Sequence, residues 1–298
     1  MDLEFASIPA DVRARLRTLR LTSRGVTRAP GVGQHASRSR GAGLEFAQYR
    51  AYEQGDEPRR IDWKLFARSD RYFVREADRD SPLRVWILLD ASASMRQSDA
   101  ASPTLSRLDA ARMLALCVIE LALRQGDSFG VVTLGGGSVG LTTLAGGARH
   151  RDRCALALAD ASAHGHWPTE LSLRPLWGRI RAGDVVVMLG DHFDEACVEF
   201  IERLAVARRE VLSILLLTQE ERDFPFVGGH CFHDPESGLE VITDAAAARA
   251  EFISSFAAAR HALRARLVAA GIRSTEYFLD QPLDAPLQHL FNAGRTTA

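Results

Sequence analysis

A chain of 298 residues, 46% hydrophobic and 25% charged, has the makeup of a globular protein and enough length for one large domain or two smaller ones. A net charge of −1 excludes a broad nucleic-acid surface and an acidic tail. No apolar run approaches bilayer length and the N-terminus lacks an apolar signal core, so the expected location is the cytoplasm, with no membrane span.

Residues 1–41 are basic and weakly patterned. Ser7 is placed to cap a short helix carrying Val12, Leu16 and Leu19 on one face, and Arg24–Gly43, rich in Arg, Gly and Ser, reads as an exposed arm. From Gly43 to Tyr52 the pattern alternates like a strand. Gly55-Asp56 forms a turn, and Asp56 caps a helix with Pro58 in its first turn, running through Ile61-Asp62-Trp63 to Ala67-Arg68. A second strand, Tyr72–Glu76, follows.

Leu83–Met95 is the stretch around which the remainder is organised. Its apolar, partly β-branched first half suits a strand buried on both faces, and it runs straight into Asp90, Ser92 and Ser94. In open α/β sheets the carboxyl ends of the strands are where ligands bind. A carboxylate with two hydroxyls offers hard oxygen ligands, which suit Mg²⁺ or Mn²⁺ better than Zn²⁺. The same serines could equally cap backbone groups at a strand exit.

Ser106-Arg-Leu-Asp109 opens a helix with apolar residues at helical spacing up to Leu123, and Phe129–Leu134 is the next strand. This order implies a parallel pair with a right-handed crossover. Gly135-Gly-Gly-Ser-Val-Gly140 matches both G-x-G-x-x-G and G-x-S-x-G, but an extended segment, Leu141–Leu144, follows where either motif needs a helix. A glycine-rich hairpin turn accounts for it. Helices are predicted over 149–164 and 171–180, separated by a loop containing Thr169. Asp184–Asp191 is a second buried strand ending in an aspartate. Parallel strands put Asp90 and Asp191 on one sheet edge despite their separation in sequence. The remainder reads as a helix over 193–209, a strand over 211–217, a loop and hairpin within 220–244, a long helix over 245–270, a strand over 274–279 and a closing helix over 282–291.

Cys117, Cys154, Cys197 and Cys231 include no Cys-x-x-Cys pair and read as reduced thiols, three of them inside elements. His164, His166, His230 and His233 lack the companion ligands of a zinc site. The whole predicts a doubly wound, mostly parallel α/β sheet with helices on both faces and an N-terminal extension, divided as 1–41, 42–81 and 82–298.

Arg50-x-Tyr52, Gly55-Asp56, Arg59, Ile61-Asp62-Trp63, Ala67-Arg68 and Val74-Arg75-Glu76, followed at once by Asp90-x-Ser-x-Ser, resemble the signature of the bacterial domain-of-unknown-function-58 family. That family places the signature before a von Willebrand factor A-like domain of Rossmann-type topology, and the Asp90 loop resembles the first loop of its metal-ion-dependent adhesion site. The resemblance implies that Ser92, Ser94 and Thr169 bind the ion directly, that Asp90 and Asp191 bind it directly or through water, and that one position stays open for a partner's carboxylate. Thr169 follows Trp167-Pro168 where that pattern commonly has glycines, and Gly190 stands where it more often has serine. The resemblance also implies a partner class, MoxR-type AAA+ ATPases, in chaperone-like assembly or activation of other proteins. The signature charges, with Tyr52, Trp63 and Phe73, read as a structural cluster bracing the main domain, a docking surface being the alternative.

With two carboxylates, hydroxyls and no general base, nucleophile or arginine clamp nearby in sequence, the site reads as one for binding rather than catalysis. A Mg²⁺-dependent phosphohydrolase with Asp90 as nucleophile is the enzymatic alternative. It calls for a second aspartate where Ser92 stands and for a lysine, of which the chain has only Lys64. A metal-free scaffold with a vestigial site is the third reading.

Overall fold

The structure is a computed structural model that describes residues 8–23, 45–53, 58, 61–78 and 82–292. The chain divides into two units, residues 28–82, and residues 1–27 together with 83–298.

In the smaller unit, β1 (Glu45–Ala51) pairs antiparallel with β2 (Phe73–Asp78), with a register irregularity between Phe46 and Gln48. A seven-residue helix (Trp63–Ser69) connects them; it is α2 in chain order. The helix predicted to start after Asp56 starts instead at Trp63. Asp62 is the cap, its Oδ1 accepting from Lys64 N at 3.0 Å and Leu65 N at 3.1 Å. Ile61 is bridged to Val74, and Asp62 N donates to Phe73 O, so the chain just before the helix is extended and cannot continue it. Among the described residues, ring contacts link Tyr52, Trp63, Phe66 and Tyr72, with Phe66 stacked on Tyr72 at 4.5 Å between centroids. Gly55, Asp56 and Arg59 lie outside the described residues, as do the side chains of Arg50, Arg75 and Glu76; Arg68 is exposed in the last turn of α2.

The larger unit is built on a six-stranded sheet. Its strands are β3 (Arg84–Asp90), β4 (Ser128–Gly135), β5 (Ser138–Leu141), β6 (Val185–Gly190), β7 (Glu210–Leu217) and β10 (Arg273–Phe278), in the order β10-β7-β6-β3-β4-β5. All neighbours are parallel except β4 and β5. Alternate residues of a strand face opposite ways, so a strand covered on both sides must be apolar throughout. Val85, Ile87 and Leu89 of β3 enter one core cluster, while Trp86 and Leu88 enter the other. Residues of α3 (Arg107–Gln125) and α4 (Ala148–Asp160) complete the first cluster, and those of α5 (Glu170–Arg179) and α6 (Glu195–Val206) the second. The expected doubly wound, mostly parallel α/β sheet is what the chain forms.

After β7 come α7 (Gln219–Asp223), absent from the sequence reading, and a separate hairpin of β8 (Gly229–His233) and β9 (Glu240–Asp244). The long α8 (Ala245–Ala269) returns the chain to β10, and α9 (Ala285–Asn292) closes the first core. The helix predicted to reach residue 164 ends at Asp160, because residues 161–164 are drawn out extended beside β3. Cys117, Cys154 and Cys197 are buried and Cys231 is exposed, all as free thiols. Among the described residues no helix is long and apolar enough to cross a membrane.

The N-terminal segment is integral to this unit. Helix α1 (Ala10–Leu16) buries Val12 and Leu16, and Leu19 and Leu21 follow them into the first core. Arg124 donates to the carbonyls of Leu16 and Leu19 at 2.9 and 2.6 Å, and Gln125 pairs with both backbone groups of Leu21. Arg15 reaches the far end of the chain, its Nε 2.8 Å from Asp284 Oδ2. Pro9, not Ser7, occupies the cap position of α1, without a side-chain cap bond; Ser7 and the predicted arm over 24–43 lie outside the described residues. Leu16 is fully buried, so Leu16→Ala is expected to cost about 2–5 kcal/mol. Urea unfolding measures this, and an unchanged midpoint would mean that the segment adds nothing to the fold.

Candidate cation site

The carboxyl ends of β3 and β6 lie side by side, since β3 pairs with β6 along Val85–Leu89. Asp90, the last residue of β3, and Asp191, the residue after β6, are each 2% exposed. Asp90 Oδ1 accepts from Ser92 N at 2.9 Å, and the hydroxyls of Ser92 and Ser94 are 3.1 Å apart. Asp90 thus shapes its own loop, turning both hydroxyls into one place. Ala93–Arg96 is a single 3-10 turn that buries Ser94.

Two flanking segments hold this loop. Ala91 N donates to Leu134 O, His164 N to Ala91 O, and Ala93 N to Gly165 O, at 2.7–2.9 Å. The glycine run forms the β4–β5 turn, with positive φ at Gly136 (56°) and Gly137 (68°), as a two-residue hairpin of the type I′ class requires. A Cβ on Gly135 would stand 2.1 Å from Ala91 O, so bare backbone is what allows the hairpin to lie against the loop.

Gly190 has a comparable role. A Cβ there would lie 2.8 Å from Asp90 Cβ and 3.0 Å from its Oδ2. The sequence marks a missing serine hydroxyl at 190; the structure adds that this glycine leaves the space in which the Asp90 carboxyl sits.

Asp191 is held by a residue that sequence reasoning missed. Arg107, at the first position of α3 and fully buried, donates through Nη1 to Asp191 Oδ2 at 3.0 Å and to Ser94 O at 3.3 Å. Its Nη2 pairs with Glu221 Oε1, whose other oxygen accepts from Thr218 N at 2.8 Å in the capping box of α7. The Arg107 guanidinium also lies 5.1 Å from the centroid of the Phe193 ring. The site therefore does contain an arginine clamp, although none is adjacent to Asp90 or Asp191 in sequence. One signal existed. A cation in the first turn of a helix opposes the helix dipole, so an arginine between Ser106 and Asp109 calls for a partner elsewhere.

His192, next to Asp191, has φ 57° and is buried. Its Nδ1–H donates to Gly190 O at 3.0 Å and its Nε2 accepts from Ser213 Oγ at 2.7 Å, while burial pushes its pKa down. It is a neutral structural imidazole. Thr169 caps α5, with Ser172 N 3.4 Å from its Oγ1, and is exposed. Its loop is tied to the Asp90 loop through Gly165, but among the described residues no hydrogen bond joins Thr169 to Asp90, Ser92 or Ser94.

The donor set fits a small hard cation: carboxylate and hydroxyl oxygens, no sulfur, no free imidazole. Among the described residues no three His, Cys, Asp or Glu side chains are gathered closely enough to hold an ion unaided, so binding here would depend on Ser92 and Ser94. Burial, then the charge of Asp191, push the Asp90 carboxyl up to about 7 against the lowering effect of the Ser92 hydrogen bonds.

Two expectations follow for metal-free protein. A raised carboxyl pKa means that the folded state holds the proton more tightly than the unfolded chain. The contribution is fully present below about pH 4 and is lost as pH rises towards 7. A displacement from 3.8 to about 7 corresponds to roughly 4 kcal/mol at about 1.36 kcal/mol per pH unit. With chelator present, the stability difference between wild type and Asp90→Asn should therefore move in favour of the variant over that range; parallel curves would refute the assignment. Arg107→Met leaves the buried Asp191 and the partly buried Glu221 without their cation and should cost about 3–5 kcal/mol in chemical denaturation, while a cost under 1 kcal/mol would mean that the clamp is idle.

Comparison with known proteins places the chain. The family described as "Protein of unknown function DUF58" matches residues 48–262. The uncharacterized protein Rv1480 of Mycobacterium tuberculosis (strain ATCC 25618 / H37Rv) is 28% identical over 231 residues, which cover 76% of this chain and 71% of that protein. Among solved structures, the conserved hypothetical protein BatB from Bacteroides thetaiotaomicron aligns with a TM-score of 0.40 and 18% identity, covering 72% of this chain and 98% of its own. The SpRpn10 VWA domain aligns with a TM-score of 0.39 and 15% identity, covering 70% and 95%.

Proposed function

The chain belongs to the DUF58 family, and on that premise we propose that it is a non-enzymatic, metal-dependent protein–protein interaction module. The observation that carries this reading is the meeting of Asp90, Ser92 and Ser94 with Asp191 at the carboxyl edge of two adjacent parallel strands. Ser92, Ser94 and Asp90 would hold Mg²⁺ or Mn²⁺. Asp191, already engaged by Arg107, fits a role through water. Thr169 completes the proposed set from the loop before α5. The ion supplies an electrophilic position that an acidic side chain of a partner can fill.

The charges support binding. Arg107 offsets one of the carboxylates Asp191 and Glu221, which leaves the buried group net negative once Asp90 is ionised and suits it to a divalent cation. The partner class follows from the family resemblance: a MoxR-type AAA+ ATPase, presenting an acidic residue, with this protein as its cytoplasmic adaptor in assembling or activating other proteins.

The test is calorimetric titration of Mg²⁺ and Mn²⁺ into metal-stripped protein, beside Asp90→Ala and Asp191→Ala. Saturable binding lost in Asp90→Ala and weakened at least tenfold, about 1.4 kcal/mol, in Asp191→Ala is expected. Wild-type protein that takes up neither ion, alone or with an acidic peptide present, would leave the metal-free scaffold as the better reading.

A further inference from the structure

One edge of the sheet borders a cavity that shares no residue with the cation site. β10 is the outermost strand on its side, and a space of about 260 Å³ lies between it and α8, reaching His289 of α9. Arg260, Leu263, Arg264 and Leu267 stand at i, i+3, i+4 and i+7 of α8, so one helix face lines the space. Leu263 and Leu267, with Leu215 and Phe278 from the sheet, form its apolar wall. A volume slightly below the range of about 300–1,000 Å³ for drug-sized ligands calls for a small occupant.

The polar part of the lining is unbalanced in charge. Among the described residues Glu276 is its one carboxylate, and Arg260 holds both oxygens, donating through Nε at 3.0 Å and through Nη2. Asp280 and Asp284, which flank Gln281 in the chain, are engaged by Arg222 and Arg15. Arg264 differs. Among the described residues its guanidinium has no ion pair or hydrogen bond, and no acid stands three or four residues from it on α8. The strand edge adds donors. Leu279 N donates to Leu217 O at 3.1 Å, and alternate residues of a strand direct their backbone groups to opposite sides. Ser274, Glu276 and Phe278 therefore present theirs at the open edge. Phe278 N is taken up by Gln281 Oε1 at 3.3 Å, which leaves Ser274 N and Glu276 N, among the described residues, as unused donors beside the cavity.

We propose that this cavity binds a small oxyanion carrying a short apolar chain. The carboxylate or phosphate head meets Arg264 and the strand-edge amides, and the chain lies against Leu215, Leu263, Leu267 and Phe278. The planar fork of arginine suits either head group. The inference is independent of the reading of the Asp90 loop.

The experiment titrates butyrate, hexanoate, hexyl phosphate and hexylamine into the ¹⁵N-labelled full chain and follows the backbone amides by NMR. The anions are expected to give saturable shifts along Ser274–Phe278 and around Leu263, and hexylamine none. Hexanoate should bind about fifteenfold tighter than butyrate, since it buries two more CH₂ groups. The tighter of hexanoate and hexyl phosphate identifies the head group. Arg264 is exposed and unpaired among the described residues, so Arg264→Gln leaves the fold intact and should weaken anion binding about tenfold. Arg174→Gln, which removes an exposed arginine of α5, should change nothing. No saturable shift with either six-carbon anion would overturn the proposal. So would hexylamine binding as well as hexanoate, shifts centred away from β10 and α8, or wild-type affinity in Arg264→Gln.

Discussion

A single buried cation ties together the ends of three strands. Arg107 contacts the Ser94 carbonyl beyond β3, Asp191 beyond β6 and Glu221 beyond β7, with no solvent exposure of its own. Removing a guanidinium from water is expensive, and the expense is met only if its attractions are close and several. Here it has two carboxylates, a carbonyl and an aromatic ring. The loops at the sheet edge are therefore mutually dependent: each supplies part of what keeps the arginine buried, and the arginine fixes each of them. The electrostatics of Asp90 belong to the same arrangement, because Asp191, held by this arginine, is one of the groups that push the Asp90 carboxyl up.

Close backbone packing completes what the arginine begins. Gly135 against Ala91, and Gly190 against Asp90, let segments approach to distances that any side chain would forbid. Protein interiors tolerate little change in volume. A motif that looks like a phosphate-binding loop is thus a packing surface for the loop carrying Ser92 and Ser94.

Much of this was legible in the sequence. A strand buried on both faces leaves a continuous apolar run, so β3, β6 and β7 declared themselves, and with them the shared edge that brings Asp90 and Asp191 together. What stayed hidden depends on tertiary context. Asp56 and Asp62 are both sound helix caps by composition. The bridge from Ile61 to Val74, formed with a strand still to come in the chain, sets the start of α2 after Asp62. Helix α7 is five residues long, too short for periodicity to show. Arg107 looked like one polar residue in an amphipathic helix, since its partners lie 84 and 114 residues away. The hydroxyl of Thr169 has a local use as a helix cap, which sequence cannot distinguish from a role in the site.

The contact between Arg15 and Asp284 spans 269 residues, and α1 and α9 share one core. Consider this from the standpoint of synthesis. The chain leaves the ribosome N-terminus first, at about 5–20 residues per second. The apolar face of α1 then waits for the last helix of the domain before its cover is complete. Contacts this distant form late and slowly, because loop closure must precede any gain from packing. Helix α1 is therefore among the last elements to be sealed, and until α9 is in place Val12, Leu16 and Leu19 lack part of their shared core.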